Sequence, residues 1–516
     1  MNITRRDLLR LMGSGAAAGA AVPLSFAQPS FVPDVEVALR AVPGEAPILP
    51  GASTRVWRFV GQLIKGPPNS LQPMGDSYLG PTLRLRTGQK VRIRFRNDLT
   101  EPTIVHWHGM DMPAAMDGHP RLVIDPGREL LYEFEVTNRA GTYWYHPHPH
   151  MRTGPQVYHG LAGMLIVSDD EESALTLPAG DEELLCVLQD RQFDSGNQLV
   201  YLTGGMMDQA HGFLGDRVLV NGRHQPSLAL ATRAYRLRVL NGSNARIYKL
   251  AWSDGTPMTV IGSDGGLLER PRQQRFLALA PAQRGDIILD LSRRSVGTTL
   301  ELRSAAFPAN AVDAMGMMIG AMQGMGRGRG MGRGMAAMQP SVPNGSPLSL
   351  LTISVNRREP SSFRLPERLS SFARSWLREP DVPPRRVTLG FEHGQWFLDG
   401  RTFEMLDTTT EETVARGSTQ IWEIVNSAGM MGMQAAHPIH LHGPQFRVMS
   451  RGGSAAAAQP VTEGVLDAGW LDTVLVMPGE TVRIKVTFTR HTGLYLYHCH
   501  ILEHEDMGMM RNFRVT

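Results

Sequence analysis

Apolar and charged residues alternate along much of the chain. In V-R-I-R-F-R (91–96), Y-E-F-E-V (132–136), Y-R-L-R-V-L (235–240) and V-R-I-K-V-T-F (482–488) every second side chain is apolar. This is the period of a strand with one face in a core and the other toward water. Fifty-four glycines and thirty-five prolines punctuate these runs, which predicts many turns and short strands rather than long helices. The pattern is that of an all-β protein built from sandwiches. Past the N-terminus nothing approaches the ~18 consecutive apolar residues of a membrane span, so no membrane insertion is expected.

The pattern also repeats over a long range. Pro126-Gly127 followed by G-T-Y-W-Y-H-P-H matches Pro478-Gly479 followed by G-L-Y-L-Y-H-C-H, and in both the first histidine lies twenty residues after the proline. Upstream, I-V-H-W-H-G (104–109) matches P-I-H-L-H-G (438–443). The first and last parts of the chain therefore read as copies of one sandwich. A middle region has the same strand patterning without paired histidines. Three domains are expected, at 35–170, 175–355 and 386–516, with a proline- and arginine-rich linker at 356–385. One segment of the second domain, 315–338, holds eight methionines separated mainly by glycine and arginine. Such a composition cannot form a packed core and predicts a loop.

Composition alters this picture little. Hydrophobic content of 42% and charged content of 20% suit a globular protein, and the net charge of +3 is small. Arg5, Arg6 and Arg10 less Asp7 supply +2 of it, so neither nucleic acid nor an acidic membrane is indicated as a partner. The N-terminus places Arg5-Arg6 before a Leu/Ala/Gly run that ends near Ser25-Phe26-Ala27. Residues 1–27 read as a twin-arginine export signal, and a periplasmic or secreted protein follows. Of two cysteines, Cys186 lies in the apolar run L-L-C-V-L and reads as core. Cys499 lies between two histidines.

Ten of the seventeen histidines fall in four motifs: H-W-H (106–108), H-P-H (146–148), H-P-I-H-L-H (437–442) and H-C-H with a further H (498–504). Residues i and i+2 of a strand share a face and i+1 takes the other. Eight histidines in four pairs can then converge on one site: His106, His108, His146, His148, His440, His442, His498 and His500. His437, Cys499 and His504 converge on a second, with Met509 as a weak fourth ligand. Two imidazoles, a thiolate and a thioether are the ligands of a blue-copper electron-transfer centre. Zinc also accepts His and Cys, but the weak methionine and the adjacent eight-histidine cluster favour copper. The other seven histidines, including His119, His150 and His211, lack matched partners and read as solvated or hydrogen-bonded groups.

In order and spacing the four motifs resemble the three-domain multicopper oxidases, notably bacterial laccases and periplasmic cuprous oxidases. R-V-L-V-N-G (217–222) and S-D-G-G-L-L (263–268) extend the likeness through the middle of the chain. The resemblance implies three cupredoxin-like domains and four coppers. His437, Cys499, His504 and Met509 would hold type 1. His106 and His440 would hold type 2, and His108, His146, His148, His442, His498 and His500 the type 3 pair. It also implies one-electron oxidation of substrate at type 1, reduction of dioxygen to water at the cluster, and Cys499 as the bridge between them. Asp117, in M-D-G, and Glu505, in E-H-E-D, match the family's proton-delivering acids, while Glu503 and Asp506 read as neighbouring or surface groups. The expected partners are dioxygen and Cu(I) or a small phenol, and the chain is expected to be a monomer.

The methionine-rich segment points to Cu(I), since thioethers are soft ligands. It implies a cuprous oxidase with a role in copper tolerance, and Met430, Met431 and Met433, just before His437, are further candidate ligands. Two alternatives stand beside this reading: a laccase acting mainly on phenols, and a non-catalytic exported copper-binding protein that keeps the sandwich.

Overall fold

Alternation becomes sandwiches because each strand has one apolar face to bury. The computed structural model describes residues 31–312, 340–373, 376, 378–426, 434–453 and 456–516. The expected export signal, the methionine-rich segment and Met430, Met431 and Met433 lie outside the described residues. Among those described, the strands form six sheets. Two draw on strands between Val35 and Ser168, two on strands between Glu183 and Arg357, and two on strands between Arg385 and Val515.

Each pair of sheets encloses a core. In the first, Val37, Val91, Ile93 and Phe95 of one sheet meet Leu85, Trp107, Tyr145 and Val167 of the other. In the last, Val387, Ile424 and Ile484 meet Ile439, Cys499 and Phe513. Helices are few and short, and among the described residues none is long and apolar enough to cross a membrane.

The strand Ala234–Asn241 departs from expectation, being buried at every position rather than at alternate ones. Its charged face is covered by acids. Arg236 binds Glu172 and, at 2.5 Å, Asp286. Arg238 lies 2.6 Å from Glu183 and 3.2 Å from Asp286. Opposing carboxylates turn a stripe expected to face water into a buried ion network. Cys186 is a free, buried thiol pushed up to about 12 by burial, as suits a core residue.

Strand register positions the histidines. Val105–His108 pairs antiparallel with Gly141–Pro147, setting His106 opposite His146. His437–Leu441 pairs with Gly493–Cys499, setting His440 opposite His498 and Ile439 opposite Cys499. His437 and Ile439 share a face, so Cys499 lies on the face of His437 and its two neighbours lie on the other.

Candidate metal centres

The eight paired histidines meet between the first and last sandwiches, and all are buried. Their outer hydrogen bonds fix which nitrogen faces inward. The Nδ1 atoms of His106 and His440 donate to the carbonyls of Asp117 (2.6 Å) and Asp472 (2.8 Å). His442 Nδ1 donates to Asp117 Oδ2 at 2.7 Å, and His498 Nδ1 to the Cys499 carbonyl at 3.1 Å. In the neutral ring each of these four then presents its Nε2 lone pair. Those nitrogens face one another, His106 to His440 at 3.4 Å and His442 to His498 at 3.1 Å, with His148 Nε2 3.3 Å from His498 Nε2.

A third group completes the cluster. His108 donates through Nε2 to Asp472 Oδ1 at 3.0 Å, and His146 through Nδ1 to the Pro147 carbonyl at 2.9 Å. His108 Nδ1, His146 Nε2 and both nitrogens of His500 are buried without a hydrogen-bond partner.

This donor set fits metal ions. Burial, then the neighbouring imidazoles, holds His106, His108, His440 and His442 well below the usual histidine range. Burial likewise lowers His148 to about 4. Neutral imidazoles with lone pairs aimed at each other repel, and a cation between them removes the conflict. Ligand atoms of His106, His440 and His442, of His148, His442 and His498, and of His106, His108 and His146 each lie within 4.8 Å of one another.

The second group sits on the other face of the same sheet. Cys499 Sγ is 3.4 Å from His437 Nδ1 and 3.7 Å from His504 Nδ1. Burial lowers His437 to about 3 and pushes the Cys499 thiol well up, so a thiolate here requires a bound cation. Met509 packs in the core cluster that contains Cys499, whereas Met510 packs with Phe403 and Leu496. His504 rides on the helix Leu502–Asp506, with its Nε2 donating to the Ala210 carbonyl at 3.0 Å.

Both expected acids are buried beside the cluster. Asp117 is held there by Gly118, whose φ is +88° and where a Cβ would lie 2.4 Å from the Val105 carbonyl oxygen. Burial, then Asp111, raises the Asp117 carboxyl well above the usual range. Glu505 lies 3.5 Å from His148 Nε2 and 3.2 Å from His498 Nδ1 without a hydrogen bond to either oxygen. Burial opposes its charge, yet His148 and His498 keep the carboxyl below the usual range. Glu503 is buried and Asp506 is half-buried. Glu503 accepts from Tyr201 (2.7 Å) and Asn244 (2.9 Å), and Asp506 from the amides of Thr153 and Gly154.

Pattern reading missed Asp472 and Trp396. Asp472 joins His108 to Arg284, whose guanidinium binds both its oxygens at 2.8 and 2.5 Å. It belongs to no motif, and only the pairing of Thr473–Val476 with the 437–441 strand brings it close. Trp396 stacks on His504 with ring centroids 4.6 Å apart.

Comparisons with known proteins agree with this geometry. The family Multicopper oxidase matches residues 62–172 and again 378–516. The chain is 32% identical to multicopper oxidase mco of Staphylococcus aureus, over 88% of this chain and 86% of the relative. It is 30% identical to a laccase of Bacillus stratosphericus (86% and 90%) and 28% identical to the cell division protein FtsP of Xenorhabdus nematophila (99% and 98%). The crystal structure of McoA multicopper oxidase from Aquifex aeolicus superposes with a TM-score of 0.75 at 33% identity, over 94% of this chain and 97% of that one. The all-β architecture is thus cupredoxin-like, the family implies copper, for which the buried histidine groups offer ligand sets, and the chain belongs to the multicopper oxidase family.

Proposed function

We propose that the protein is an exported oxidase that takes single electrons from Cu(I) or phenols at the His437–Cys499–His504–Met509 site and passes them to dioxygen at the eight-histidine cluster. His106 and His440 would hold type 2 copper. His108, His146 and His500 would hold one type 3 ion, and His148, His442 and His498 the other. Copper bound at these positions supplies one-electron acceptance at the first site and four-electron reduction of dioxygen to water at the second. The observation that carries this reading is the strand Gly493–Cys499 and its next residue. Cys499 faces one site while His498 and His500 face the other, so a few covalent bonds join them.

The remaining residues orient ligands and handle protons. Asp117 and Asp472 fix the imidazole tautomers from outside the cluster. Asp117, its carboxyl raised by burial, and Glu505, beside His148 and His498, are placed to carry protons toward the cluster. A binding-only role, open because FtsP is a relative, would need neither the thiolate bridge nor these acids.

Between donors, the reading favours Cu(I). The Val312 carbonyl, at the edge of the described chain before the methionine-rich segment, accepts from the Ala436 amide at 2.7 Å. Val312, three residues before the segment in sequence, thus lies against Ala436, the neighbour of His437, and export would deliver the enzyme to where copper enters the cell. Oxygen uptake by the copper-loaded protein, supplied in turn with Cu(I) and a dimethoxyphenol, tests this. Uptake with Cu(I) at the higher kcat/KM supports the cuprous reading, and uptake with the phenol alone overturns it.

A further inference from the structure

The second sandwich contributes none of the proposed copper ligands, yet two of its parts reach the eight-histidine cluster. One is the S-D-G-G turn (263–266) and the other is Arg284. Both grip the segment 470–473 of the third sandwich, which touches two histidines of the cluster. Asp472 accepts from His108 Nε2 through Oδ1 at 3.0 Å, and from His440 Nδ1 through its main-chain carbonyl at 2.8 Å.

The grip is a set of hydrogen bonds among buried groups. Asp264 Oδ2 accepts the amides of Asp472 at 3.4 Å and Thr473 at 3.3 Å, and its Oδ1 accepts the Arg284 amide at 2.8 Å. The Trp470 carbonyl accepts the Gly265 amide at 2.8 Å and the Ser263 hydroxyl at 2.9 Å. A Cβ on Gly265 would collide with the Trp470 Cβ, so the turn approaches the segment as closely as only glycine permits. Arg284 commits all five of its side-chain N–H donors. Nε reaches the Thr142 carbonyl of the first sandwich at 2.8 Å. Nη1 donates to the Ala282 carbonyl at 2.9 Å and to Asp472 Oδ1 at 2.8 Å. Nη2 donates to the Asp264 carbonyl at 3.1 Å and to Asp472 Oδ2 at 2.5 Å. One guanidinium thus ties all three sandwiches together beside His108.

We propose that Arg284, backed by the S-D-G-G turn, is a positioning residue for the cluster: it holds Asp472 in the one orientation that fixes His108 and His440 together. This rests on the oxidase reading above and gives the sandwich without copper ligands a task in it. The fork geometry carries the argument. A guanidinium meets both carboxylate oxygens side by side, which stops rotation about the Cβ–Cγ bond and keeps Oδ1 on His108 Nε2. Lysine keeps the charge but offers a single point of contact, so the carboxylate is free to turn. The amide bonds to Asp264 hold the 472–473 backbone, and with it the carbonyl that takes the His440 Nδ1 proton. His108 is assigned to a type 3 ion and His440 to type 2, so one displaced segment disturbs both kinds of copper. Cys499, on the other face of its strand, is untouched.

Copper content and spectra, read without turnover, test this. Arg284→Lys, Arg284→Gln and Gly265→Ala are loaded with copper and equilibrated against graded chelator, and copper per chain is measured by elemental mass spectrometry. Arg284→Lys should lose cluster copper at about ten-fold lower chelator than wild type, the scale of a disturbed outer partner, and Arg284→Gln more readily still. The thiolate-to-copper absorption band should stay in both. The type 2 Cu(II) signal in electron paramagnetic resonance should change its hyperfine splitting, because His440 is no longer held. Gly265→Ala moves the 470–473 segment with Arg284 intact and should change the same signal. Leu302→Ala, in the core of the second sandwich, measures what lost stability alone does: its unfolding midpoint should fall while the type 2 signal stays that of wild type. Wild-type copper retention and a wild-type signal in Arg284→Lys overturn the proposal. An equal spectral change in Leu302→Ala also overturns it, since the role is then structural alone. If Arg284→Gln does not fold, Arg284→Lys and Gly265→Ala decide the matter. A wild type that takes up copper but consumes no dioxygen with any donor sinks the oxidase reading instead, and copper retention then still decides the positioning role.

Discussion

Asp472→Asn should weaken copper binding at the eight-histidine cluster while leaving the blue centre intact. Asp472 Oδ1 accepts from His108 Nε2 at 3.0 Å, and both its oxygens accept from Arg284, all in a fully buried setting. Asparagine has one acceptor oxygen, so its amide must turn a hydrogen-bond donor toward either Arg284 or His108. Oδ1 serves His108, Thr473 and one Arg284 nitrogen, so the asparagine oxygen stays there, the amide donor faces the other Arg284 nitrogen, and His108 keeps a neutral acceptor in place of a carboxylate. A neutral acceptor holds the Nε2 proton less firmly and leaves Nδ1, the atom that faces the cluster, a poorer metal donor. Exchanging a charged for a neutral acceptor forfeits about 1–1.5 kcal/mol, which at ~1.4 kcal/mol per decade corresponds to about 5–10-fold in copper affinity. Cys499 lies on the opposite face of its strand and should keep its thiolate-to-copper absorption band. The assay is copper per chain by elemental mass spectrometry after equilibration against graded chelator, read beside that band. A variant that holds its full copper at the chelator concentration where wild type begins to lose it would refute the reasoning.

Met509→Leu should raise the reduction potential of the blue centre, because losing a weak donor disfavours Cu(II). Redox titration in which the potential moves with Met510→Leu and ignores Met509→Leu would identify the other sulfur. Glu183 is held at about 2, burial opposing its charge and Arg238 and Arg84 outweighing it. A depressed carboxyl contributes stability above its unfolded value, and that stability disappears as pH falls through the folded one. Glu183→Gln should therefore cost about 3 kcal/mol near neutrality, and the gap to wild type should close between pH 4.5 and 2 in denaturant titrations. A gap that stays constant across that window counts against the ion network. Deleting 315–338 should lower kcat/KM for Cu(I) without changing copper content, since none of the proposed ligands lies there, and unchanged Cu(I) kinetics would reduce the segment to an insertion.

Much of the site was legible in the sequence because strand parity is a strict rule. An H-x-H pair must share a face, and the residue between must take the other, so the separation of Cys499 from His498 and His500 needed no coordinates. The likeness of the two halves carried further, since matched motifs in copies of one sandwich imply matched positions. What parity could not reach was anything set by docking between sandwiches. Arg284 and Trp396 lie on strands, and Asp472 just before one, with no motif of their own, and only tertiary placement brings them to His108 and His504. The strand Ala234–Asn241 misled for the same reason, because Glu172, Asp286 and Glu183 cover a face that alternation assigns to water. Glu503 and Asp506 were read as neighbouring or surface groups because helix spacing alone cannot reveal that Tyr201, Asn244 and the 153–154 amides enclose them.

The central claim is that electrons enter at Cys499's site and leave at the eight-histidine cluster in groups of four. Simultaneous measurement of oxygen consumed, donor oxidised and hydrogen peroxide released by the copper-loaded enzyme tests it most directly. The account predicts four one-electron donors per dioxygen, no peroxide, and loss of turnover in Cys499→Ser. Two donors per dioxygen with peroxide accumulating, or turnover that survives Cys499→Ser, would contradict it.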